Sequence, residues 1–149
     1  MQAPDFDLPA DNGKNISLSS LKGKNVVFYF YPKDDTPGCT LEGKDFSAAI
    51  KEFDKANAVV IGVSKDSVES HCKFRDKYGY SILLASDEDG SACEDYGVWV
   101  EKNMYGKKYM GIERSTFLID KAGKIAKIWR KVKVDGHVKE VLAEAEKLA

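Results

Sequence analysis

The stretch NVVFYFYPKDDTPGC, residues 25–39, decides how the rest of the chain is interpreted. It opens with a continuous apolar and β-rich run, which is typical of a central strand covered on both faces. Pro32 ends this run, and a charged turn containing proline and glycine follows. Cys39 comes directly after the turn, where a helical pattern begins. A cysteine used only for packing usually lies inside an apolar run, so this position indicates a role for the thiol.

The pattern around this stretch predicts one α/β domain over residues 1–149. Beyond Cys39 the apolar residues recur at helical spacing, with Phe46 and Phe53 on one buried stripe, and predict a helix at 40–56. The later segments are predicted in this order: strand 58–64, a helix from 66 or 67 to 78, strand 81–87, helix 91–96, a loop at 97–113, a hairpin of 114–120 and 124–130, and a last helix from about 136. Strands that alternate with helices indicate a mixed sheet between helical layers.

The composition excludes several classes of protein. The chain has 23 basic and 24 acidic side chains and a net charge of −1, which predicts neither a nucleic-acid partner nor an anionic membrane as partner. No apolar run approaches the roughly 20 residues that cross a bilayer, and the first residues lack the pattern of a signal peptide. We therefore expect a cytoplasmic protein. Its three cysteines are then buried small side chains or reactive thiols, not a disulfide framework.

The predicted position of Cys39 favours its thiolate. Cys39 follows the carboxyl end of a core strand and falls in the first turn of a helix, where free backbone N–H groups and a partial positive charge stabilise an anion. Asp34 and Asp35 act in the opposite direction, because nearby negative charge disfavours a second anion. A fixed cation is therefore expected near the sulfur, and Arg114, at the start of a predicted strand, is the candidate. A purely structural thiol is the alternative at this point.

Several motifs resemble the peroxiredoxin family. The segment PKDDTPGCT fits the signature Pro-x-x-x-Thr-x-x-Cys at Pro32, Thr36 and Cys39. The longer stretch FYFYPKDDTPGCTLEGKDF is similar to the bacterioferritin comigratory protein branch, also called peroxiredoxin Q, as are the opening residues and the motifs GVSKDS, LLASDEDG, YGVW and ERSTFLIDKAGKI. The resemblance implies a thioredoxin-like fold with an N-terminal extension, and thiol-dependent reduction of hydrogen peroxide and organic hydroperoxides. It also implies a monomer.

The resemblance implies a role for each residue of the site. Cys39 attacks a peroxide oxygen as an ionised, exposed thiolate and becomes a sulfenic acid. Thr36 donates a hydrogen bond to the thiolate and accepts one from the peroxide, while Arg114 holds both the sulfur and a peroxide oxygen. Pro32 shields the thiolate from water and fixes the loop. Glu42 resembles the acid of a capping box and is interpreted as structural support.

The chain departs from the commonest pattern of the branch at Lys44. Many members of the branch carry a second, resolving cysteine at this position. Cys72, on the helix predicted to end at 78, is the first candidate to replace it, although plain burial also explains this cysteine. Cys93 is interpreted as a packing residue. We therefore predict a one-cysteine enzyme, with a Cys39–Cys72 disulfide cycle as the alternative.

The predicted partners are a peroxide and a thiol reductant, which the resemblance gives as thioredoxin, glutaredoxin or glutathione. No metal or nucleotide cofactor is expected, because the chain has no paired Cys or His ligand motif and no glycine-rich phosphate loop. Two other classes of function compete: a cysteine hydrolase, and a peroxide sensor or thioredoxin-like binding module. A hydrolase needs a general base, and neither His71 nor His137 follows a strand end from which it reaches Cys39.

Overall fold

The computed structural model describes residues 1–149, in which strands and helices alternate along most of the chain. The strands are β1 (Asp7–Pro9), β2 (Asn15–Ser17), β3 (Asn25–Phe30), β4 (Ala58–Ser64), β5 (Leu83–Ser86), β6 (Trp99–Met104), β7 (Lys107–Ile112), β8 (Ser115–Ile119) and β9 (Ile125–Trp129). The helices are α1 (Pro37–Ala48), α2 (Ile50–Lys55), α3 (Val68–Tyr78), α4 (Ser91–Asp95) and α5 (His137–Leu148). None of these helices has the length and apolar character needed to span a membrane.

A mixed sheet of five strands in the order β5-β4-β3-β8-β9 forms the centre. β3 is parallel to β4 and antiparallel to β8, and all of its residues are buried. Side chains alternate along this segment, so Phe28 and Phe30 enter a first apolar layer and Tyr29 and Tyr31 enter a second. The β1–β2 hairpin and α4 cover the first layer, and the other four helices cover the second. The predicted mixed sheet between helical layers is confirmed.

The first long helix differs from its prediction at its start and in its middle. α1 begins three residues early, at Pro37, because proline is well suited to the first turn of a helix. The chain leaves helical geometry at Ala49, where φ is −97° and ψ is 8°, and α2 follows as a separate helix. Phe46 and Phe53 are both fully buried, as the predicted stripe requires. The break therefore changes the helix without changing which of these side chains enter the core.

Residues 97–113, predicted as a loop, form a two-stranded ribbon, so that prediction is wrong. β6 pairs with β7 in antiparallel register, with Met104 opposite Lys107 at the turn. The two turn residues, Tyr105 and Gly106, have positive φ angles of 53° and 80°, as a hairpin turn of this length requires. Most side chains of the ribbon are exposed or only half-buried, so no burial period marks its strands in the sequence.

The predicted limits of α3 are confirmed. Ser67 is the N-cap, and its hydroxyl accepts a hydrogen bond from the Ser70 N–H at 3.1 Å. Gly79 ends the helix in the left-handed conformation, with a φ of 67°. The buried side chains of α3 include His71 and Phe74. This helix matters for the site because one of its faces lies against the segment that joins β3 to α1.

Candidate active site

The β3–α1 loop, residues 31–36, places Cys39 at the carboxyl edge of the sheet. Cys39 is the third residue of α1 and lies in its first turn, as the sequence predicts. Its side chain is only 2% exposed and packs in the second apolar layer. The expectation of an exposed thiol is therefore wrong for this conformation. The helix start that favours an anion also covers the sulfur.

Arg114 is the cation beside the sulfur, as the sequence predicts. It lies between β7 and β8, and because β8 pairs with β3, its guanidinium reaches the start of α1. Nη2 donates a hydrogen bond to Sγ of Cys39 at 3.3 Å, and Nη1 donates to Oε1 of Glu42 at 2.6 Å. A Cβ at Gly38 would lie 3.0 Å from Nη2, so glycine leaves room for the guanidinium. The planar guanidinium of Arg114 therefore contacts the sulfur of Cys39 and the carboxylate of Glu42 at the same time.

Glu42 orients Arg114 and does not form the predicted capping box. Its side chain is fully buried. Burial raises the pKa of Glu42 to about 7, against the opposing effect of the Arg114 guanidinium. Oε2, the second carboxylate oxygen, has no hydrogen-bond partner. The sequence signal for this contact was the position of Glu42, one helical turn after Cys39 on the same helix.

Thr36 and Pro32 lie in the loop before the cysteine. The predicted hydrogen bond from Thr36 to the sulfur is not formed in this conformation, because Oγ1 donates to the Lys33 carbonyl at 2.9 Å. The same hydroxyl oxygen keeps a lone pair that can accept a hydrogen bond, so its role toward the peroxide stays a prediction. Pro32 is the second residue of the loop and is exposed. Its shielding role is likewise a prediction.

The two aspartates of the loop are paired with side chains of α3. Oδ2 of Asp34 lies 2.8 Å from Nδ1 of His71, and Oδ2 of Asp35 lies 2.7 Å from Nζ of Lys77. Lys77 offsets the charge of Asp35, and His71 forms a buried contact with Asp34. Sequence reasoning gave His71 no role. Its only signal was its place three residues before Phe74, on the buried face of α3.

The other two cysteines have contacts of their own, and none of the three is in a disulfide. Sγ of Cys72 lies 3.5 Å from the carbonyl oxygen of Asp11, in the turn between β1 and β2, whereas the neighbouring His71 faces the β3–α1 loop. Cys93 is fully buried in the first apolar layer, across the sheet from Cys39. Burial also raises the pKa of the Cys93 thiol.

Sequence comparison places this site in a known family, since residues 1–128 match the model of the AhpC/TSA family. The chain belongs to the AhpC/TSA family. A putative peroxiredoxin bcp of Coxiella burnetii is 57% identical over 141 residues, which cover 95% of this chain and 93% of that protein. Peroxiredoxin Bcp of Bacillus subtilis is 52% identical over 141 residues, which cover 95% of this chain and 90% of that protein.

Solved structures show the same relationship. The bacterioferritin comigratory protein of Xanthomonas campestris, whose alkyl peroxide reduction activity has been analysed structurally, is 49% identical, with a TM-score of 0.91 over 95% of this chain and 90% of that one. Peroxidoxin BcpB from Mycobacterium tuberculosis is 32% identical, with a TM-score of 0.87 over 100% of this chain and 96% of that one. The predicted thioredoxin-like peroxiredoxin fold is confirmed, and the chain is an enzyme, a thiol-dependent peroxidase.

Proposed function

We propose that Cys39 is the thiol that attacks the peroxide. The observation that carries this proposal is the 3.3 Å hydrogen bond from the Arg114 guanidinium to the sulfur, made in the first turn of a helix. A fixed cation and a helix N-terminus both stabilise a thiolate. Cys72 donates to a carbonyl and has no arginine hydrogen bond, and Cys93 is buried beside a carboxylate, which disfavours its thiolate.

The oxidative step transfers one oxygen atom from the peroxide to Cys39. The thiolate attacks one oxygen of ROOH, the O–O bond breaks, and the sulfur becomes a sulfenic acid while the leaving oxygen takes a proton and departs as ROH. Arg114 faces the sulfur and stabilises negative charge as it moves toward the leaving oxygen. Thr36 orients the peroxide by accepting its hydrogen bond, and Pro32 limits the access of water to the loop.

An external thiol completes the cycle. It condenses with the sulfenic acid and releases water, and a second thiol then frees Cys39 from the mixed disulfide. Lys44 stands where many members of the branch have their resolving cysteine. The contact of Cys72 with the β1–β2 turn and the burial of Cys93 across the sheet support a one-cysteine cycle.

The substrates that fit this chemistry are hydrogen peroxide and alkyl hydroperoxides, and reduction of alkyl peroxides is described for the Xanthomonas campestris relative. The candidate reductants are thioredoxin, glutaredoxin and glutathione. We further propose that the enzyme acts as a monomer in the cytoplasm, where reduced thiols are available to regenerate it.

Serine substitutions of the three cysteines test this proposal. Cys39→Ser should abolish consumption of hydrogen peroxide in the presence of glutathione, because the attacking sulfur is gone. Cys72→Ser and Cys93→Ser should retain most of the activity, since neither sulfur enters the cycle. Activity in Cys39→Ser would contradict the assignment of the attacking thiol. Loss of turnover with thioredoxin in Cys72→Ser, with overoxidation at Cys39, would contradict the one-cysteine cycle.

A further inference from the structure

A buried polar network ties the β3–α1 loop to α3, and the reaction described above does not use it. Asp34 lies at its centre, with 5% of its side chain exposed. Oδ1 accepts a hydrogen bond from the Tyr31 hydroxyl at 2.6 Å, and Oδ2 accepts one from the Ser70 hydroxyl at 2.7 Å. Nδ1 of His71 lies 2.8 Å from the same Oδ2. Three side chains therefore hold this carboxylate in the loop.

The surroundings of His71 provide a hydrogen-bond partner for each ring nitrogen. Its side chain is 0% exposed, so both ring nitrogens need partners in the protein. Nε2 lies 2.9 Å from the Ala85 carbonyl oxygen, which can only accept, so Nε2 donates. Nδ1 then shares a hydrogen bond with Oδ2 of Asp34, whose two oxygens also accept from two hydroxyl groups. His71 and Asp34 form a buried hydrogen-bonded pair.

A second contact, an ion pair, connects the loop to α3, and this one is exposed to solvent. Asp35 pairs with Lys77 at 2.7 Å, with 43% and 58% of the two side chains open to solvent. Exposed ion pairs contribute little to stability because water and salt screen them. A buried hydrogen-bonded pair that loses one partner leaves an unsatisfied polar group, which is costly. The pair of Asp34 and His71 is therefore the stronger tie, and Asp35 offers a matched control.

The burial of Cys39 makes this tie important for the reaction. The sulfur is 2% exposed and bonded to Arg114, so only a small molecule reaches it in this conformation. A thiol carried by glutathione or by a protein must approach the sulfur directly, which requires the first turn of α1 to move away from Arg114. That turn continues directly from the loop that Asp34 holds.

We propose that His71 is a positioning residue that latches the β3–α1 loop through Asp34. The closed latch holds Cys39 against Arg114 for the reaction with peroxide, and its opening admits the reductant to the sulfenic acid. The inference rests on the proposed role of Cys39 as the attacking thiol. A weakened latch therefore makes the sulfur more accessible and speeds the reductive step, while the step with peroxide does not become faster.

Alkylation of the cysteines in intact protein tests the latch. His71→Asn and Asp34→Asn each remove one partner of the pair, and the second variant keeps the shape of the carboxylate. Each should raise the alkylation rate of Cys39, measured by mass spectrometry at the alkaline plateau of the rate, at least about tenfold, the factor expected for losing a hydrogen bond to a charged group. Cys93 is buried in the other apolar layer and reports global unfolding, so its rate should not change.

The rates of the two half-reactions, oxidation of Cys39 by peroxide and reduction of its sulfenic acid, distinguish a latch from a purely structural role. Reduction of the Cys39 sulfenic acid by glutathione should accelerate by a similar factor in both variants, whereas its formation with hydrogen peroxide should stay level or slow. Asp35→Asn, which breaks only the exposed tie, should change either rate by less than about fivefold. Nitrogen-15 NMR should find that the Nδ1 resonance of His71 moves in Asp34→Asn and stays in place in Asp35→Asn.

The outcomes separate the latch from its alternatives. If Cys39 and Cys93 are alkylated faster by the same factor, the pair only stabilises the fold. If neither alkylation rate rises, other contacts hold the loop. Either result overturns the proposal. If Cys39→Ser instead retains peroxidase activity, the proposed function fails, while a selective change in Cys39 alkylation still reports on the latch.

Discussion

At the scale of single residues, the site depends on the shape of Arg114 as well as its charge. The guanidinium contacts the sulfur and the buried carboxylate of Glu42 at the same time. Because the carboxylate fixes one arm of the guanidinium, we propose that the other arm is already oriented when the peroxide arrives and needs no reorganisation at that moment. Lysine carries the same charge on one compact ammonium group, which cannot make both contacts in this geometry.

Substitutions at Arg114 separate charge from shape. Arg114→Ala, made together with Glu42→Gln so that no buried carboxylate is left unpaired, should slow the oxidation of Cys39 by hydrogen peroxide about 100-fold, the usual cost of losing a preorganised donor. Arg114→Lys should slow it about tenfold, because one charged contact is lost. Stopped-flow measurement of sulfenic acid formation gives both rates, with Glu42→Gln alone as the control. Wild-type rates in both variants would remove Arg114 from the mechanism.

The sequence led to Cys39 and Arg114 but not to the contacts around them. A turn that ends in a helix start is a local pattern, and it placed the cysteine correctly. The contact between Arg114 and Glu42 joins residues 72 positions apart, and the hydroxyl of Thr36 chooses a neighbouring carbonyl over the sulfur. Both contacts depend on tertiary packing and on which acceptors compete for a donor. A local sequence pattern contains neither kind of information.

At the scale of elements, α1 is held by contacts with a residue outside the helix. The Tyr80 hydroxyl donates to the Thr40 carbonyl at 2.8 Å. A Cβ at Gly43 would lie 2.6 Å from the Tyr80 ring, so the ring packs directly on the backbone of the helix. The first turns of α1 therefore move only if this packing is given up.

Lys44→Cys restores the cysteine spacing common in the branch and tests how firmly α1 is held. The new thiol and Cys39 would lie on different sides of one helix, so a disulfide between them requires unwinding. Peroxide should give the sulfenic acid first and the disulfide slowly, and adding Tyr80→Phe should speed the disulfide about threefold to tenfold by removing one hydrogen bond. Timed mass spectrometry follows both products. A disulfide that forms as fast as the sulfenic acid, with no effect of Tyr80→Phe, would contradict a rigid helix start.

Buried elements and helices with clear caps were predictable from the sequence. The largely exposed ribbon was not. β3 carries a continuous apolar run, and the caps of α3 at Ser67 and Gly79 are local signals that the structure confirms. The β6–β7 ribbon buries little of either face, so its strands have no period to detect. The break at Ala49 has no marker in the sequence, since neither glycine nor proline lies there.

At the scale of the whole molecule, two buried groups make opposite contributions to the pH dependence of stability. Burial raises the pKa of Glu42 from 4.5 to about 7, so the folded chain holds this proton more tightly, and stability from this group falls as the pH rises between those values. Burial, with a smaller effect of Arg114, lowers the pKa of His137 from 6.5 to about 4, so stability from this group rises as the pH rises between those values.

Single substitutions should reveal how each group changes the free energy of unfolding with pH, between about pH 4.5 and 6.5. Relative to the wild type, the free energy of unfolding of Glu42→Gln should increase with pH by about 1.4 kcal/mol per pH unit, and that of His137→Asn should decrease at the same rate. The double variant should follow the wild type. Urea unfolding at several pH values measures the differences. Differences that stay constant with pH would show that folding does not shift these two pKa values.

The contact of Cys72 with the Asp11 carbonyl and the burial of Cys93 in the other apolar layer support a Cys39 that reacts without a resolving partner. The most direct measurement is mass spectrometry of the wild-type protein after treatment with a stoichiometric amount of hydrogen peroxide and no reductant, with a sulfenic acid trap added. We expect a trapped sulfenic acid at Cys39, with Cys72 and Cys93 still reduced. An intramolecular disulfide between Cys39 and Cys72 in place of the trapped sulfenic acid would contradict it.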